Sequence, residues 1–393
     1  MCGIAGIYSR AEIGHGVISD MTNMLLHRGP DAHSTYRSDS GNLAFGHTRL
    51  SIIDLSQAAN QPMCSFDDRY VVIFNGEIYN FALVRKEIQR VNPGVLFRTH
   101  SDTEVILNAF ITWGPEMVKK LDGMFAIALF DTIDKKLFLF RDRIGKKPIF
   151  YFSTPEHFVF ASEIKSMLKH DAVAASKLID RQAIHEFLHL GYIPEPKTIY
   201  KSIAKFPAGS WAEVTSDLTV AMHSYWTVTG QLEGAIEEDT VKAKEILRQK
   251  LHQAVQKRLI SDVPVGSFLS GGTDSSLVTA IASEYTTGKF KTFNIGFKDQ
   301  AFDEHHSAAR VAACLKTEHY EYLLEEREAK EILETYLHHF DEPFADTSAI
   351  PTMLVSKLAR KEVTVALTGD GGDELFLGYG SHAWASRLDD PFF

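Results

Sequence analysis

The chain changes its hydrophobic rhythm once, and that change limits its fold more than any other feature. Up to residue 226 it is built of short β-like runs at 42–47, 70–74, 125–130, 136–140, 149–152 and 158–161. The segments DTIDKK, RDRIGKK and STPEH separate several of these runs, as turns do in hairpins. Helical patterns at 81–90 and 103–113 interrupt them. From Thr240 the rhythm alternates. Helices are predicted at 240–259, 275–285, 307–315, 329–340 and 350–359, with strands VPVGSFL, KTFNIGF, EHYEYLL and VTVALT between them. Hairpins make antiparallel sheets. Strand–helix alternation makes a parallel sheet, because parallel neighbours need a crossover. Both in one chain predict two domains: an α+β domain at 2–217, a linker at 218–239 and an α/β domain at 240–393. At 45% hydrophobic and 23% charged residues, the composition lets each half bury a core.

Composition also removes whole classes of function. Lys plus Arg number 41 against 51 Asp plus Glu, a net charge of −10, which lacks the electrostatic footprint of a nucleic-acid binder. No apolar run approaches the length of a membrane helix. The start, MCGIAGIYSR, does not read as a secretory signal. The three cysteines, Cys2, Cys64 and Cys314, are too few and odd in number for a disulfide framework. They point to a reducing cytoplasm and cannot make a four-thiolate zinc site. Neither nucleic acid nor membrane is an expected partner. His305 and His306, beside Asp303 and Glu304, read as a polar helix start rather than a metal site.

Cys2 follows the initiator methionine, and Gly3 follows it. Small residues there permit removal of Met1, leaving a cysteine that carries its own α-amine. Such an amine has an ordinary pKa near 8 and can serve as base for its own thiol. The competing reading is a cysteine merely leading a buried strand, CGIAGIY. Further polar motifs follow: HRGPD (27–31), HTRLSIID (47–54), FNGEIYN (74–80) and HSDTEVI (100–106). An amide hydrolase needs two donors for its oxyanion and charges for an amino acid's ends. Asn75 and Gly76 could supply the donors, Arg49 could clamp a carboxylate, and Glu77 or Asp102 could hold an ammonium. Each has a plainer alternative. Asn-Gly is also a hairpin dipeptide, and Ser101 or Asp102 could simply cap a helix.

In order and spacing, MCGI, HRGPD, RLSIID, FNGEIYN, SDTE, LDGMFAIALFD and RDRIGKKPIFY resemble the class II glutamine amidotransferases, over roughly the first 225 residues. The resemblance implies an N-terminal-nucleophile hydrolase fold, two antiparallel sheets between helices. It implies that Cys2 attacks the glutamine amide, giving a glutamyl thioester and ammonia. By motif position Asn75 and Gly76 would form the oxyanion hole. Arg49, Leu50, Ile53, Asn75, Gly76, Glu77 and Asp102 would surround glutamine.

In the second half, FLSGGTDSS (268–276) follows a predicted strand and opens a predicted helix. Backbone N–H groups at such a Gly-rich turn make an anion site. Asp274 within it would suit a metal that bridges phosphates. The plainer alternative is an ordinary helix cap. LTGDGGDELF (367–376) ends the last predicted strand. Ligands of open parallel sheets sit beyond such strand ends, where Asp370 and Asp373 could join Asp274 at a metal or a substrate amine. An acidic Gly-rich turn is the alternative.

SGGTDSS and GDGGDELF, with DEPFADTSAIP (341–351) and FDEHHSAARVA (302–312), resemble the ATP pyrophosphatase domain of the asparagine synthetases, a fold like that of the adenine nucleotide α-hydrolases. The resemblance implies ATP as co-substrate with Mg2+, and an acyl-adenylate formed with release of pyrophosphate. Ser270, Gly271, Gly272, Asp274 and Ser275 would bind pyrophosphate and metal. Leu269, Ile295, Thr368 and Gly369 would lie at AMP, Asp370 near the acceptor amino acid and Asp373 near the metal. GDGGDE departs from the more usual GEGSDE, which bears on the acceptor. The chain also stops soon after VTVALT, so the second domain is read as incomplete at its C-terminus.

The two motif sets imply one coupled reaction. Glutamine is hydrolysed at Cys2, aspartate is activated by ATP, and ammonia passes unprotonated, through a shielded passage between the domains, to make asparagine. A different carboxylate acceptor, or a piece that keeps only glutaminase or ligand-binding activity, are the alternatives. A homodimer is the assembly expected.

Overall fold

The computed structural model describes residues 1–232, 236–297, 305–324, 326–385 and 387. The chain divides into two compact units, Met1–Ile236 with His339–Asp346, and Glu237–His338 with Thr347–Phe393.

In the first unit the predicted hairpins form two six-stranded sheets. The strands are β1 (Gly3–Ser9), β2 (Ala32–Arg37), β3 (Leu43–Arg49), β4 (Met63–Cys64), β5 (Tyr70–Ile78), β6 (Gly123–Asp131), β7 (Lys136–Arg141), β8 (Phe150–Ser153), β9 (His157–Ala161), β10 (Ala204–Lys205), β11 (Ser210–Val214) and β12 (Val220–Ser224). One sheet runs β10-β8-β9-β1-β3-β2 and the other β12-β11-β7-β6-β5-β4, and every recorded pairing within them is antiparallel. Alternate side chains along a strand enter different layers. On β5, Val71 and Ile73 join the layer between the sheets, while Val72, Phe74 and Ile78 face the helices Phe81–Val91 and Asp102–Trp113. On β1, Ile4 and Tyr8 point between the sheets, and Ala5 and Ile7 pack with Met21, Ile164 and Met167 on the far side. This is why the central strands read as nearly continuous apolar runs: both faces are covered.

Strand β12 falls within the stretch read as a linker, and it is paired to β11 from Ser210↔Ser224 to Val214↔Val220. The first unit also takes in His339–Asp346. Lys165 donates to the His339 carbonyl at 2.8 Å and meets Asp341 at 3.4 Å, and Lys205 pairs with Glu342 at 2.5 Å.

In the second unit, β13 (Val265–Phe268), β14 (Lys291–Phe297), β15 (Glu318–Leu324) and β16 (Val365–Leu367) form a parallel sheet in the order β15-β14-β13-β16. Helices Thr273–Tyr285 and His305–Leu315 follow β13 and β14, as a parallel topology demands. His305 opens its helix, as a polar start should. Phe302, Asp303 and Glu304 of the FDEHHSAARVA motif lie outside the described residues. No described helix is long and apolar enough to cross a membrane.

Candidate active site

Cys2 leads directly into β1, all of whose residues are buried. The register Gly3↔Thr48 and Ile4↔His47 brings the end of β3 alongside it. The Leu50 N–H accordingly reaches the Cys2 Sγ at 3.4 Å, and the thiol faces the Leu50 carbonyl at 3.7 Å. Burial pushes the thiol above its ordinary range, against the pull of the Leu50 N–H and the chain's amino terminus. A thiol held neutral this way would need a base at hand to act as a nucleophile. Cys2 leads a buried strand, as the plainer reading expects, and its thiol also meets the backbone of Leu50.

Asn75 and Gly76 are not a hairpin turn. They lie inside β5, opposite Ala126 and Phe125 of β6. The Asn75 side chain is fully buried, yet neither its Nδ2 nor its Oδ1 has a hydrogen-bond partner. An unpaired buried amide costs about 1–3 kcal/mol, and such a group in a native fold calls for an explanation. A Cβ on Gly76 would lie 2.1 Å from the Met124 carbonyl and 2.7 Å from Phe125 Cα, so only glycine lets β6 approach. The residue before this pair is pinned on both sides. Gln61 Oε1 accepts from the Phe74 N–H at 2.6 Å, and His47 Nε2 lies 3.1 Å from the Phe74 carbonyl. A carbonyl can only accept, so the proton sits on Nε2. Burial holds His47 at about 4, so the imidazole is neutral near pH 7.

Asp102 stands in the first turn of the helix Asp102–Trp113, where Oδ2 accepts from the Ile78 N–H at 3.0 Å. Burial raises its carboxyl to about 6 against that hydrogen bond. Ser101 caps this helix, accepting from the Glu104 N–H at 3.3 Å, as the plainer alternative expects. Glu77 is buried beside Gly76 on β5.

Arg49 differs from the expected open clamp. Its Nη1 donates to the Ser56 carbonyl and to Asn60 Oδ1, both at 2.8 Å, and its Nη2 to the carbonyls of Ile53, at 3.4 Å, and Asp54. The guanidinium braces the loop that carries Leu50 and Ile53. A substrate carboxylate would have to replace some of those oxygens.

Two residues quoted within motifs but given no role lie against the N-terminus. Arg28 Nε donates to the Cys2 carbonyl at 2.9 Å, and its Nη1 donates to Glu163 at 2.8 Å. Lys147 is 5% exposed, and its Nζ lies 3.1 Å from the Met1 sulfur. The only signal in the sequence was their place inside HRGPD and RDRIGKKPIFY.

The second motif set converges beside β13. Gly271 has φ +84, a conformation open to glycine, and its hypothetical Cβ would strike the Ala308 nitrogen at 2.6 Å. Ser270 Oγ lies 2.9 Å from Ser275 Oγ, and the Gly272 N–H donates to Ser270 Oγ at 3.3 Å. Leu269 is buried, and its carbonyl accepts from Asn294 Nδ2 at 2.7 Å, next to Ile295 on β14. Gly369 and Gly372 abut this loop: a Cβ on Gly369 would lie 2.7 Å from the Ser275 nitrogen, and one on Gly372 2.2 Å from Asp274 Oδ2. Thr368 Oγ1 donates to Asp370 Oδ2 at 2.9 Å. Among the described residues no three His, Cys, Asp or Glu side chains gather to hold a metal, so Asp274, Asp370 and Asp373 do not form a ready-made three-carboxylate site. Asp274 lies in the first turn of the helix Thr273–Tyr285, where the phosphate-type loop ends, a hard-oxygen donor of the kind Mg2+ takes one or two of, with phosphates and water completing its shell.

Two antiparallel sheets between helices, with a cysteine at the head of a central strand, define an N-terminal-nucleophile hydrolase domain; the parallel sheet with its Gly-rich first turn defines an ATP-pyrophosphatase-type domain. Residues 1–226 match the family described as glutamine amidotransferase domain, and 246–393 the one described as asparagine synthase. The chain is 37% identical over 385 residues to the glutamine-hydrolyzing asparagine synthetase 1 of Bacillus subtilis, covering 96% of this chain and 59% of that protein. It is 30% identical over 403 residues to asparagine synthetase B of Escherichia coli, covering 96% of this chain and 65% of that one. The chain belongs to the glutamine-hydrolysing asparagine synthetase family. It spans less than two thirds of the length of either of these two relatives.

Proposed function

We propose that this protein makes asparagine from aspartate, glutamine and ATP, with Mg2+ as the metal. The observation that carries the glutaminase half is the buried, unpartnered amide of Asn75 on the strand beside Gly76. In this reading Cys2 passes its thiol proton to its own α-amine and attacks the glutamine amide carbon. The Asn75 Nδ2–H and Gly76 N–H hold the oxyanion. The amine returns the proton to the leaving nitrogen, ammonia departs, and water hydrolyses the thioester to glutamate. Arg49, Leu50 and Ile53 position the carboxylate end of glutamine, and Glu77 and Asp102 its ammonium.

In the second unit Ser270, Gly271, Gly272 and Ser275 would cradle pyrophosphate, with Asp274 and Asp373 holding the metal, whose charge offsets that of the phosphates. Leu269, Ile295, Thr368 and Gly369 would receive the AMP portion, and Asp370 the aspartate. The aspartate β-carboxylate attacks the α-phosphorus and pyrophosphate leaves. Ammonia, which must arrive unprotonated to be nucleophilic, then displaces AMP. We place the enzyme in the cytoplasm, consistent with three free cysteines, and expect a homodimer. The same chemistry on another carboxylate acceptor is the second reading, since GDGGDE replaces the usual GEGSDE around Asp370.

Amide-15N glutamine, ATP, Mg2+ and aspartate, followed by mass spectrometry, test the proposal. Label in asparagine supports it in full. Label in ammonia alone, with glutamate released, leaves the glutaminase half standing and removes aspartate as acceptor for this chain. No glutamate at all overturns the nucleophile assignment.

A further inference from the structure

The Gly-rich turn of the second unit hangs from a side chain that lies outside both motifs. Asn294 stands on β14 at 6% exposure, and its Nδ2 donates to the Leu269 carbonyl at 2.7 Å. A carbonyl only accepts, so the orientation of the amide is fixed, with its nitrogen toward Leu269. The Leu269 N–H donates in turn to the Phe293 carbonyl at 2.9 Å. Leu269 is itself 1% exposed and packs with Ala308 and Ala312. Neighbouring residues of β14 thus hold both polar backbone groups of the residue from which the turn departs.

A peptide group is planar and trans, so its C=O and N–H point in opposite directions. Pinning the Leu269 carbonyl therefore aims the next N–H, that of Ser270. This N–H donates to Ser275 Oγ at 3.3 Å, and Ser270 Oγ lies 2.9 Å from the same hydroxyl. Farther along, Gly271 takes φ +84 and has no room for a Cβ against Ala308. Asn294 Oδ1, by contrast, is buried with no hydrogen-bond partner among the described residues. A buried acceptor left unpaired costs about as much as one hydrogen bond returns, so the amide adds little net stability. What it supplies is direction.

We propose that Asn294 is a positioning residue for the phosphate-binding turn: by anchoring the Leu269 carbonyl it holds the Ser270 N–H ready for the pyrophosphate portion of a nucleotide. A turn whose first N–H is already aimed binds an anion without first reorganising. The inference rests on the reading of 270–275 as a nucleotide site, but part of its test needs no nucleotide.

Two measurements on the full chain read it: peptide-resolved hydrogen exchange over 269–273, and calorimetric binding of inorganic pyrophosphate with Mg2+. In Asn294→Leu the lost hydrogen bond and the removed unpaired acceptor offset each other, so the melting temperature should stay near that of wild type. Exchange over the turn should quicken, and pyrophosphate should bind roughly tenfold more weakly, the worth of one hydrogen bond. Asn294→Asp is the discriminating variant. Its carboxylate cannot donate to Leu269, whereas its protonated form can. Compared with wild type at the same pH, it should match Asn294→Leu at about pH 8 and recover as pH falls and the buried carboxyl takes up its proton. A residue that merely fills space would show no such recovery. Wild-type exchange and binding in folded Asn294→Leu would overturn the proposal, as would an Asn294→Asp defect unchanged by pH. Quickened exchange in Asn294→Leu, recovered at low pH in Asn294→Asp, in a chain that binds no pyrophosphate even as wild type, would sustain the anchoring by Asn294 and remove the nucleotide reading instead.

Discussion

Arg28 donates to the carbonyl oxygen of Cys2 at 2.9 Å, and the same guanidinium holds Glu163 at 2.8 Å, which His27 also meets, at 2.9 Å. The backbone at Cys2 is thus tied to a buried carboxylate far along the chain. Burial alone would raise the Glu163 carboxyl, but hydrogen bonds from His27 and Arg28 prevail and hold it at about 2.

Glu163→Gln should therefore be less stable near pH 7, by on the order of 3 kcal/mol. A carboxylate whose folded pKa is depressed contributes stability above its unfolded pKa and loses it as pH falls toward the folded value. The gap between wild type and variant should accordingly narrow between about pH 4.5 and pH 2. Urea unfolding at pH 7 and pH 3.5 reads it. An equal gap at both pH values would show that charge is not the source.

Asn75→Ala is expected to separate activity from stability. The native amide is buried with both polar atoms unpaired, so its removal relieves a penalty instead of breaking a bond. Thermal stability should hold or rise slightly. Glutaminase kcat should fall roughly 10²–10³-fold, the usual loss of one oxyanion donor. A large loss of melting temperature would mean that the amide is paired in the folded protein.

Much of this arrangement was legible in the sequence. The strands at 70–74 and 291–297 follow from β-branched and aromatic runs, although the first runs on to Ile78, and the change to helix–strand alternation marked the second unit. Cys2, Asn75, Gly76 and Asp102 stood in recognisable patterns. What was not legible depends on contacts distant in sequence. Asn-Gly taken locally reads as a turn, and only pairing with β6 explains the glycine. The Arg49 guanidinium looked free because the oxygens that engage it belong to an irregular loop without periodicity. Lys147 and Arg28 lay in quoted motifs, but their nearness to the N-terminus arises from tertiary packing. The docking of 339–346 on the first unit is likewise a meeting of charges, Lys165 with Asp341 and Lys205 with Glu342, that no local pattern announces.

Asp102 should make glutamine affinity pH-dependent in a defined direction. Burial holds its carboxyl at about 6, so it is charged above that pH and neutral below it. An ammonium partner is attracted only to the charged form. KM for glutamine should rise as pH falls below 6, with a smaller change in kcat. In Asp102→Asn, KM should be raised throughout and lose that dependence. A variant that keeps the wild-type dependence would place the titrating group elsewhere.

Gly76 and Gly372 both lack room for a Cβ, but the obstacles differ, and so should the consequences. At Gly76 the obstacles include the Met124 carbonyl at 2.1 Å and the Phe125 Cα at 2.7 Å. Backbone paired in the middle of a sheet cannot swing away, so Gly76→Ala should separate β5 from β6 and cost roughly 3 kcal/mol or more. Gly94→Ala, where the nearest atom is Asn92 Oδ1 at 3.6 Å, is the near-neutral control. At Gly372 the obstacle is the Asp274 carboxylate, at 2.2 Å, a side chain that can rotate aside. Gly372→Ala should leave the melting temperature almost unchanged but displace Asp274 from the loop that opens at Ser270. ATP-dependent pyrophosphate release should then fall by roughly 10–100-fold, the range for losing the support of a metal ligand, while glutaminase activity persists. Unchanged pyrophosphate release would mean that the orientation of Asp274 does not matter to the nucleotide.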